Sequence, residues 1–298
     1  MNHPSIQSHL AVCYGELLWD LLPSGPQPGG APMNVAYHLH KLGCHPAMIT
    51  RIGIDERGRK LLDILEGKGV CTNYIQLDYD LPTGIVHAQQ DARGDMQYDI
   101  VSPAAWDHIV HDATAAAVVE ASPYFICGSL AARNHTSRNT LFALLEAANT
   151  RVLDINLRAP HYSRSLIEDL LGKAHILKMN ADELELVTGW FARYQRMEDR
   201  IQLVQDRFHL STILITRGAH GAILNMEGQL HRHPGYQVPV TDTVGSGDAF
   251  LAATIAMLIK KSDPRTMLDF ANRLAATITT YKGACPDYDI NETEHQPS

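Results

Sequence analysis

One rhythm constrains this chain more than any other feature. Short apolar runs recur at residues 10–13, 47–49, 124–127, 152–155, 176–179 and 212–215. Between them lie stretches with helical spacing, at 35–42, 57–66, 113–120, 138–148, 166–171 and 181–188. Apolar runs that do not alternate suit strands buried on both faces. Strands separated by helices suit a parallel sheet, because each parallel connection must cross back over the sheet. The pattern therefore predicts an α/β fold, with a mostly parallel central sheet covered on both sides. Two stretches break the rhythm. Residues 83–100 alternate weakly around a glycine turn at 92–95 and read as a β-hairpin, and residues 17–22 read as a strand before a Pro/Gly-rich loop at 23–30. Together they predict a small antiparallel sheet that protrudes from the core, formed by about 16–23 and 83–100, and a lid is a natural use for it.

Composition then removes whole classes of function. The chain has 298 residues, 25 Lys+Arg against 33 Asp+Glu, and a formal charge of -8. That balance disfavours a nucleic-acid partner, which calls for a basic face. No run of 18 apolar residues predicts a membrane span. The first ten residues have neither a basic stretch nor an apolar core, so no secretory leader is expected and the cytoplasm is the expected location. The five cysteines are odd in number and carry no CxxC, which fits reduced, mostly buried thiols. No repeat or interdomain linker stands out, so one domain over 1–298 is expected, with the last 15 residues loosely held.

The strongest chemical signal is Asp242-Thr243-Val244-Gly245-Ser246-Gly247-Asp248, which runs into the apolar stretch 249–258. This is a glycine-rich turn that delivers the chain into a buried helix. Small residues let backbone N–H groups approach a ligand, and the helix dipole favours negative charge there. Asp248 is a carboxylate beside an anion cradle. As a helix N-cap it would be ordinary. As a base that takes a proton from an attacking hydroxyl it would make the site one for phosphoryl transfer to an alcohol. A second cluster, Gly29-Gly30-Ala31-Pro32-Met33-Asn34, places paired glycines and an amide before a helix. Alone it reads as a simple loop-to-helix transition.

Taken together, these motifs resemble those of the ribokinase/PfkB family of sugar and nucleoside kinases, and within it the fructokinase-like branch. Gly53-Ile54-Asp55-(x2)-Gly58, Asp154-Ile155-Asn156-Leu157-Arg158, Lys178-Met179-Asn180-(x2)-Glu183, Thr216-Arg217-Gly218 and Ala271-Asn272 follow in family order. The resemblance implies a ribokinase-like three-layer α/β/α sandwich with a small β-sheet lid. It implies an ATP-dependent sugar kinase using ATP and Mg2+, with K+ as a candidate monovalent activator. Asp248 matches the catalytic base, and Gly245, Ser246 and Gly247 match the anion hole, where Ser246 stands in place of the usual Ala. Arg158 is the candidate to neutralise the transferring phosphoryl. Asp20, Gly30, Asn34 and Asn156 match sugar-side positions. Asn180, Glu183, Thr216, Gly218 and Asn272 match nucleotide-side positions, with Glu183 holding Mg2+ through water. Arg217 is expected to face solvent. Pocket-wall matches at 17–23, 30–32, 105–107 and 128–134 suggest fructose, giving fructose 6-phosphate. Another sugar or a nucleoside as acceptor, and a non-catalytic sugar-binding relative, remain the alternatives. The resemblance also implies homodimers through the lid as a possible assembly, with neither nucleic acid nor membrane as partner.

Other signals have ordinary readings. Residues 53–60 lack the Lys-Ser/Thr of a P-loop, and no G-x-G-x-x-G follows a strand. His231 and His233 would share one strand face, but no third ligand has recognisable spacing. The sequons at Asn134 and Asn291 read as chance matches.

Overall fold

A computed structural model of the chain describes residues 9–23, 25–90 and 96–290. They form two compact units, one of residues up to 126 together with 131–149, the other of 127–130 together with the chain from 150 onward.

The first unit carries β1 (Ala11–Tyr14), β2 (Leu18–Leu22), β3 (Gly25–Gly29), α1 (Ala31–Lys41), β4 (Ala47–Gly53), α2 (Glu56–Gly67) and β5 (Ile75–Asp78). It continues with β6 (Gly84–Gln90), β7 (Met96–Ile100), α3 (Ala113–Ala121), the start of β8 (Tyr124–Gly128) and α4 (His135–Ala147). Its larger strand set runs β8-β1-β4-β5, with β4 parallel to both neighbours. The apolar runs behave as predicted, since all four residues of β1 are buried. Asp55 is the N-cap of α2 and accepts from the Gly58 N–H at 2.8 Å, so the 53–58 motif has the structural role expected of it. Asn134 likewise caps α4, and Asn291 lies outside the described residues.

The small sheet is real, and its order is β3-β2-β6-β7. Two details differ from expectation. The Pro/Gly-rich segment forms an edge strand, β3, paired antiparallel with β2. Prolines lack the donor a central strand needs, but an edge strand tolerates Pro26 and Pro28. The sheet is also mixed, since β2 runs parallel to β6. No turn joins those two strands, so nothing forces them to be antiparallel. β6 and β7 do pair as a hairpin, and the turn expected at 92–95 lies outside the described residues.

The second unit carries β9 (Thr150–Asp154), α5 (Arg164–Leu171), β10 (Ile176–Asn180), α6 (Ala181–Gly189), α7 (Met197–Phe208), β11 (Thr212–Thr216), β12 (Ala222–Met226), β13 (Gln229–His233), α8 (Ser246–Ile259) and α9 (Pro264–Thr279). Its strands run β13-β12-β11-β10-β9, parallel from β9 to β11 and antiparallel beyond. Helix α8 is apolar on every side and buried along its first nine described positions after Gly247. The tail is less loose than its composition suggests, because Ala284 and Tyr288 are buried. No helix among the described residues is long and apolar enough to cross a membrane.

A buried ion pair fixes the end of β7. Arg133 grips Asp107 with two bonds of 2.7 and 2.8 Å, donates to the Ile100 and Val101 carbonyls at 3.1 and 2.7 Å, and lies 4.0 Å over the Trp106 ring. Asp107 is fully buried. Removing Arg133 would strand that carboxylate in a dry site, which typically costs about 3–5 kcal/mol. Arg133→Ala is therefore expected to lower unfolding stability by that order in urea titrations. A loss under about 1 kcal/mol would mean that Asp107 finds water or another partner.

Candidate active site

The start of α8 is built by a loop that is held from below. The Asp242 carboxylate accepts from Val244 N–H and Gly283 N–H, each at 3.0 Å. The Thr241 and Asp242 N–H groups both donate to the Thr279 carbonyl, at 2.8 and 3.1 Å. Gly245 turns the chain with φ 78, and a Cβ there would lie 2.6 Å from Ala284 Cα. Glycine is thus required twice at this position, for its dihedral and for the close approach. Gly245 is also the N-cap of α8, with no side-chain cap. Asp248 sits in the first helical turn, and the cap reading of this residue does not hold. The first-turn N–H groups have no partner within the helix and lie at the positive end of its dipole, and that of Ser246 donates to the Thr243 carbonyl at 3.4 Å. Ser246 turns its hydroxyl back to the Thr243 carbonyl at 2.9 Å, so serine is accommodated without filling the cradle.

A charged cluster lies under this turn. Lys178, from the middle of β10, places its Nζ 2.7 and 3.0 Å from the two carboxylate oxygens of Asp154 on β9. Lys178, Asp154, Glu183 and Asp248 are all buried. Burial alone would pull the Lys178 ammonium down. The Asp154 carboxylate, with Asp248 and Glu183 behind it, instead holds it above the usual lysine range. Lys178 is therefore a fixed cation among carboxylates.

Asn180 and Glu183 form a reciprocal cap on α6. The Asn180 side chain accepts from Glu183 N–H, and Glu183 Oε2 accepts from Asn180 N–H, both at 2.8 Å. Glu183 Oε1 accepts from Leu157 N–H at 2.8 Å, which ties the 154–158 loop to α6. Burial pushes the Glu183 carboxyl up, against the pull of the Asn180 N–H. Both oxygens are thus engaged by backbone. That suits holding a hydrated cation through water better than direct ligation. Asn156 has the left-handed φ of 37, and Arg158 is exposed and donates to the Leu157 carbonyl at 3.1 Å. Thr216 ends β11 directly opposite Asn180, and Gly218 follows with φ 56 in a turn. Arg217 is half-buried, and its guanidinium donates to the His220 carbonyl at the exposed side of that turn. Asn272 is buried on α9 and donates to the Leu268 carbonyl at 2.7 Å.

In the first unit, Asp20, Gly30 and Asn34, the residues expected on the sugar side, lie on β2, at the end of β3 and in the first turn of α1. Asp20 directs its Oδ2 at Gly29, where any Cβ would collide with it. Gly30 has φ 122, and a Cβ there would collide with the Glu16 carbonyl. The Asn34 N–H donates to the Gly30 carbonyl at 3.0 Å in the first turn of α1, and Asn34 is buried. The paired glycines thus let a carboxylate and a helix start lie against bare backbone.

Sequence reasoning gave no role to Lys178 and Asp154. The signal was present, since each is an ionisable residue inside an apolar run that reads as a doubly buried strand. His231 and His233 do share β13, and His233 lies 3.3 Å from Asp269. No group of His, Cys, Asp and Glu among the described residues is arranged to hold a metal ion directly.

Known proteins give the same picture. Residues 25–291 match the family described as "pfkB family carbohydrate kinase". The chain is 30% identical over 290 residues to a fructokinase of Klebsiella pneumoniae, covering 91% of this chain and 93% of that protein. An uncharacterized sugar kinase of Pyrococcus horikoshii has a similar structure, with a TM-score of 0.83 at 26% identity, covering 96% and 97% of the two chains. The same kinase in complex with ATP gives 0.82 at 25%, covering 95% and 96%. Fructokinase of Vibrio cholerae, bound to fructose, ADP and calcium ion, gives 0.79 at 25%, covering 93% and 95%. The fold is ribokinase-like, and the chain belongs to the pfkB family of carbohydrate kinases.

Proposed function

We propose that this sugar kinase transfers the γ-phosphoryl of ATP to a primary hydroxyl of fructose, with Mg2+ as cofactor. One observation carries the chemistry: Asp248 is a buried carboxylate in the first turn of a helix whose cap is a bare glycine. A buried carboxylate in the first turn, beside N–H groups that no N-cap side chain covers, is suited to accept the proton of an attacking hydroxyl. The N–H groups from Gly245 to Gly247 face the charge that develops on the transferring phosphoryl. Arg158, exposed at the end of its loop, can fold over the same charge. Bound Mg2+ would neutralise charge on the phosphate oxygens, and Asn180 and Glu183 would hold its water shell. Thr216, Gly218 and Asn272 serve the nucleotide. Asp20, Gly30, Asn34 and Asn156 serve the sugar, with Asp20 accepting hydrogen bonds from its hydroxyls. The small sheet closes over the bound sugar. The fructokinase relatives support fructose as acceptor.

A coupled ADP-release assay over ketohexoses, aldohexoses, ribose and nucleosides tests the acceptor. The highest kcat/KM is expected for fructose, and a strong preference for a nucleoside would replace that reading. Asp248→Asn should lower kcat by roughly 10²–10⁴-fold with ADP affinity unchanged. Near-normal turnover in that variant would remove Asp248 as the base.

Asp20→Ala separates recognition from chemistry. Hydrogen bonds to a charged acceptor contribute roughly 1.5–3 kcal/mol each, and each 1.4 kcal/mol is about tenfold in affinity. The sugar KM should therefore rise by about ten- to a hundredfold while the ATP KM holds. Equal losses for both substrates would show that Asp20 only supports the fold.

A further inference from the structure

The ion pair between β9 and β10 is poorly explained by stability. Strands β9 and β10 are already joined by their parallel register, Ile176 to Val152 through Lys178 to Asp154. A buried ion pair is often no better for stability than apolar residues of the same size. Its direction is more telling. A Cβ added to Gly247 would lie 3.1 Å from Lys178 Nζ, and no Asp154 atom would come within 4 Å of that point. The ammonium therefore faces the turn, and its carboxylate partner stands behind it. The positive end of the α8 dipole lies on the same spot. Two like-signed features meet there, an arrangement that suits the arrival of a negative group.

We infer that Lys178 is a positioning residue for phosphoryl transfer, an ammonium clamped by Asp154 beneath Gly247 that places fixed positive charge behind the anion hole. This rests on the proposed kinase reaction and adds to it a residue that need not touch either substrate. The charged groups that face it are Asp154 from β9, Glu183 from α6 and Asp248 from α8. Asp154 neutralises the pair as a whole but leaves its positive end toward the turn. The arrangement is preorganised, so it needs no movement as charge develops.

Two variants test this. Lys178→Met removes the cation and leaves Asp154 buried alone. Lys178→Met combined with Asp154→Asn removes the pair together and keeps the volume, so it stays informative if the single variant fails to fold. Both are expected to lose kcat by about 100-fold or more, the scale of removing one preorganised donor, with sugar and ATP KM within about threefold of wild type. A second readout is independent of turnover. With sugar present, aluminium fluoride, a mimic of the transferring phosphoryl, should tighten ADP binding to the wild type by calorimetry. The double variant should keep its ADP affinity and lose that gain. Wild-type kcat in the double variant, or an undiminished aluminium fluoride gain, would overturn the inference and leave the pair as a strand fastener. A wild type that phosphorylates no sugar in the panel, yet shows the gain that the double variant lacks, would instead sink the proposed acceptor and uphold Lys178.

Discussion

An apolar helix has to be buried, and a buried helix must still deal with its first N–H groups. In α8 both demands meet. Its sides carry Phe250, Leu251 and Ile255 into the core, while its N-cap is a glycine with no side chain to serve those N–H groups, and the Ser246 N–H reaches only the Thr243 carbonyl, at 3.4 Å. Gly245, Ser246 and Gly247 are only half-buried, so solvent or a ligand can reach the donors of that first turn. The surrounding structure keeps the turn in place without filling it. Asp242 spends its carboxylate on Val244 and Gly283, and Gly245 lies against the Ala284 backbone. The segment after α9 therefore acts as a floor for the turn. This explains why Ala284 is buried in a polar tail.

Charge in the second unit follows the same logic. Asp154, Glu183 and Asp248 surround a single ammonium, so the buried cluster is net acidic before any ligand arrives. Such a cluster would repel a nucleotide triphosphate if the carboxylates faced it bare. Two of the three are turned to other tasks: Asp154 is engaged by Lys178, and Glu183 by two backbone N–H groups. Their oxygens are thus engaged locally, and the charged atom that comes nearest a Cβ at Gly247 is the Lys178 Nζ, at 3.1 Å.

Much of this was legible in the chain. Apolar runs and helical spacing located β1, β4, β8 and β9 to β11 to within a few residues, because burial on both faces leaves little room for polar positions. The motif around Asp248 marked the candidate site, since glycines flanking a small residue ahead of an apolar helix have few other uses. Edge features were less legible. Strand β3 read as a loop because Pro and Gly look the same in a loop as on a sheet edge. The parallel pairing of β2 with β6 depends on a crossover that local pattern does not record. Lys178 and Asp154 were passed over for a different reason. Each looks like an interruption in a strand until its partner, 24 residues away, is placed beside it.

The glycines of the first unit show how the same economy serves a different ligand. A sugar presents hydroxyl groups and asks for acceptors, whereas a phosphate presents oxygens and asks for donors. Around α8 the glycines expose N–H groups. At Gly29 the missing Cβ instead makes room for the Asp20 carboxylate, and at Gly30 it makes room for the Glu16 carbonyl. In both places the absent side chain brings backbone close, but the group admitted has the opposite sense. Under the proposed reaction, the acceptor-rich cluster suits the hydroxyl-bearing substrate and the donor-rich turn suits the phosphoryl. That division follows from which atoms the glycines uncover.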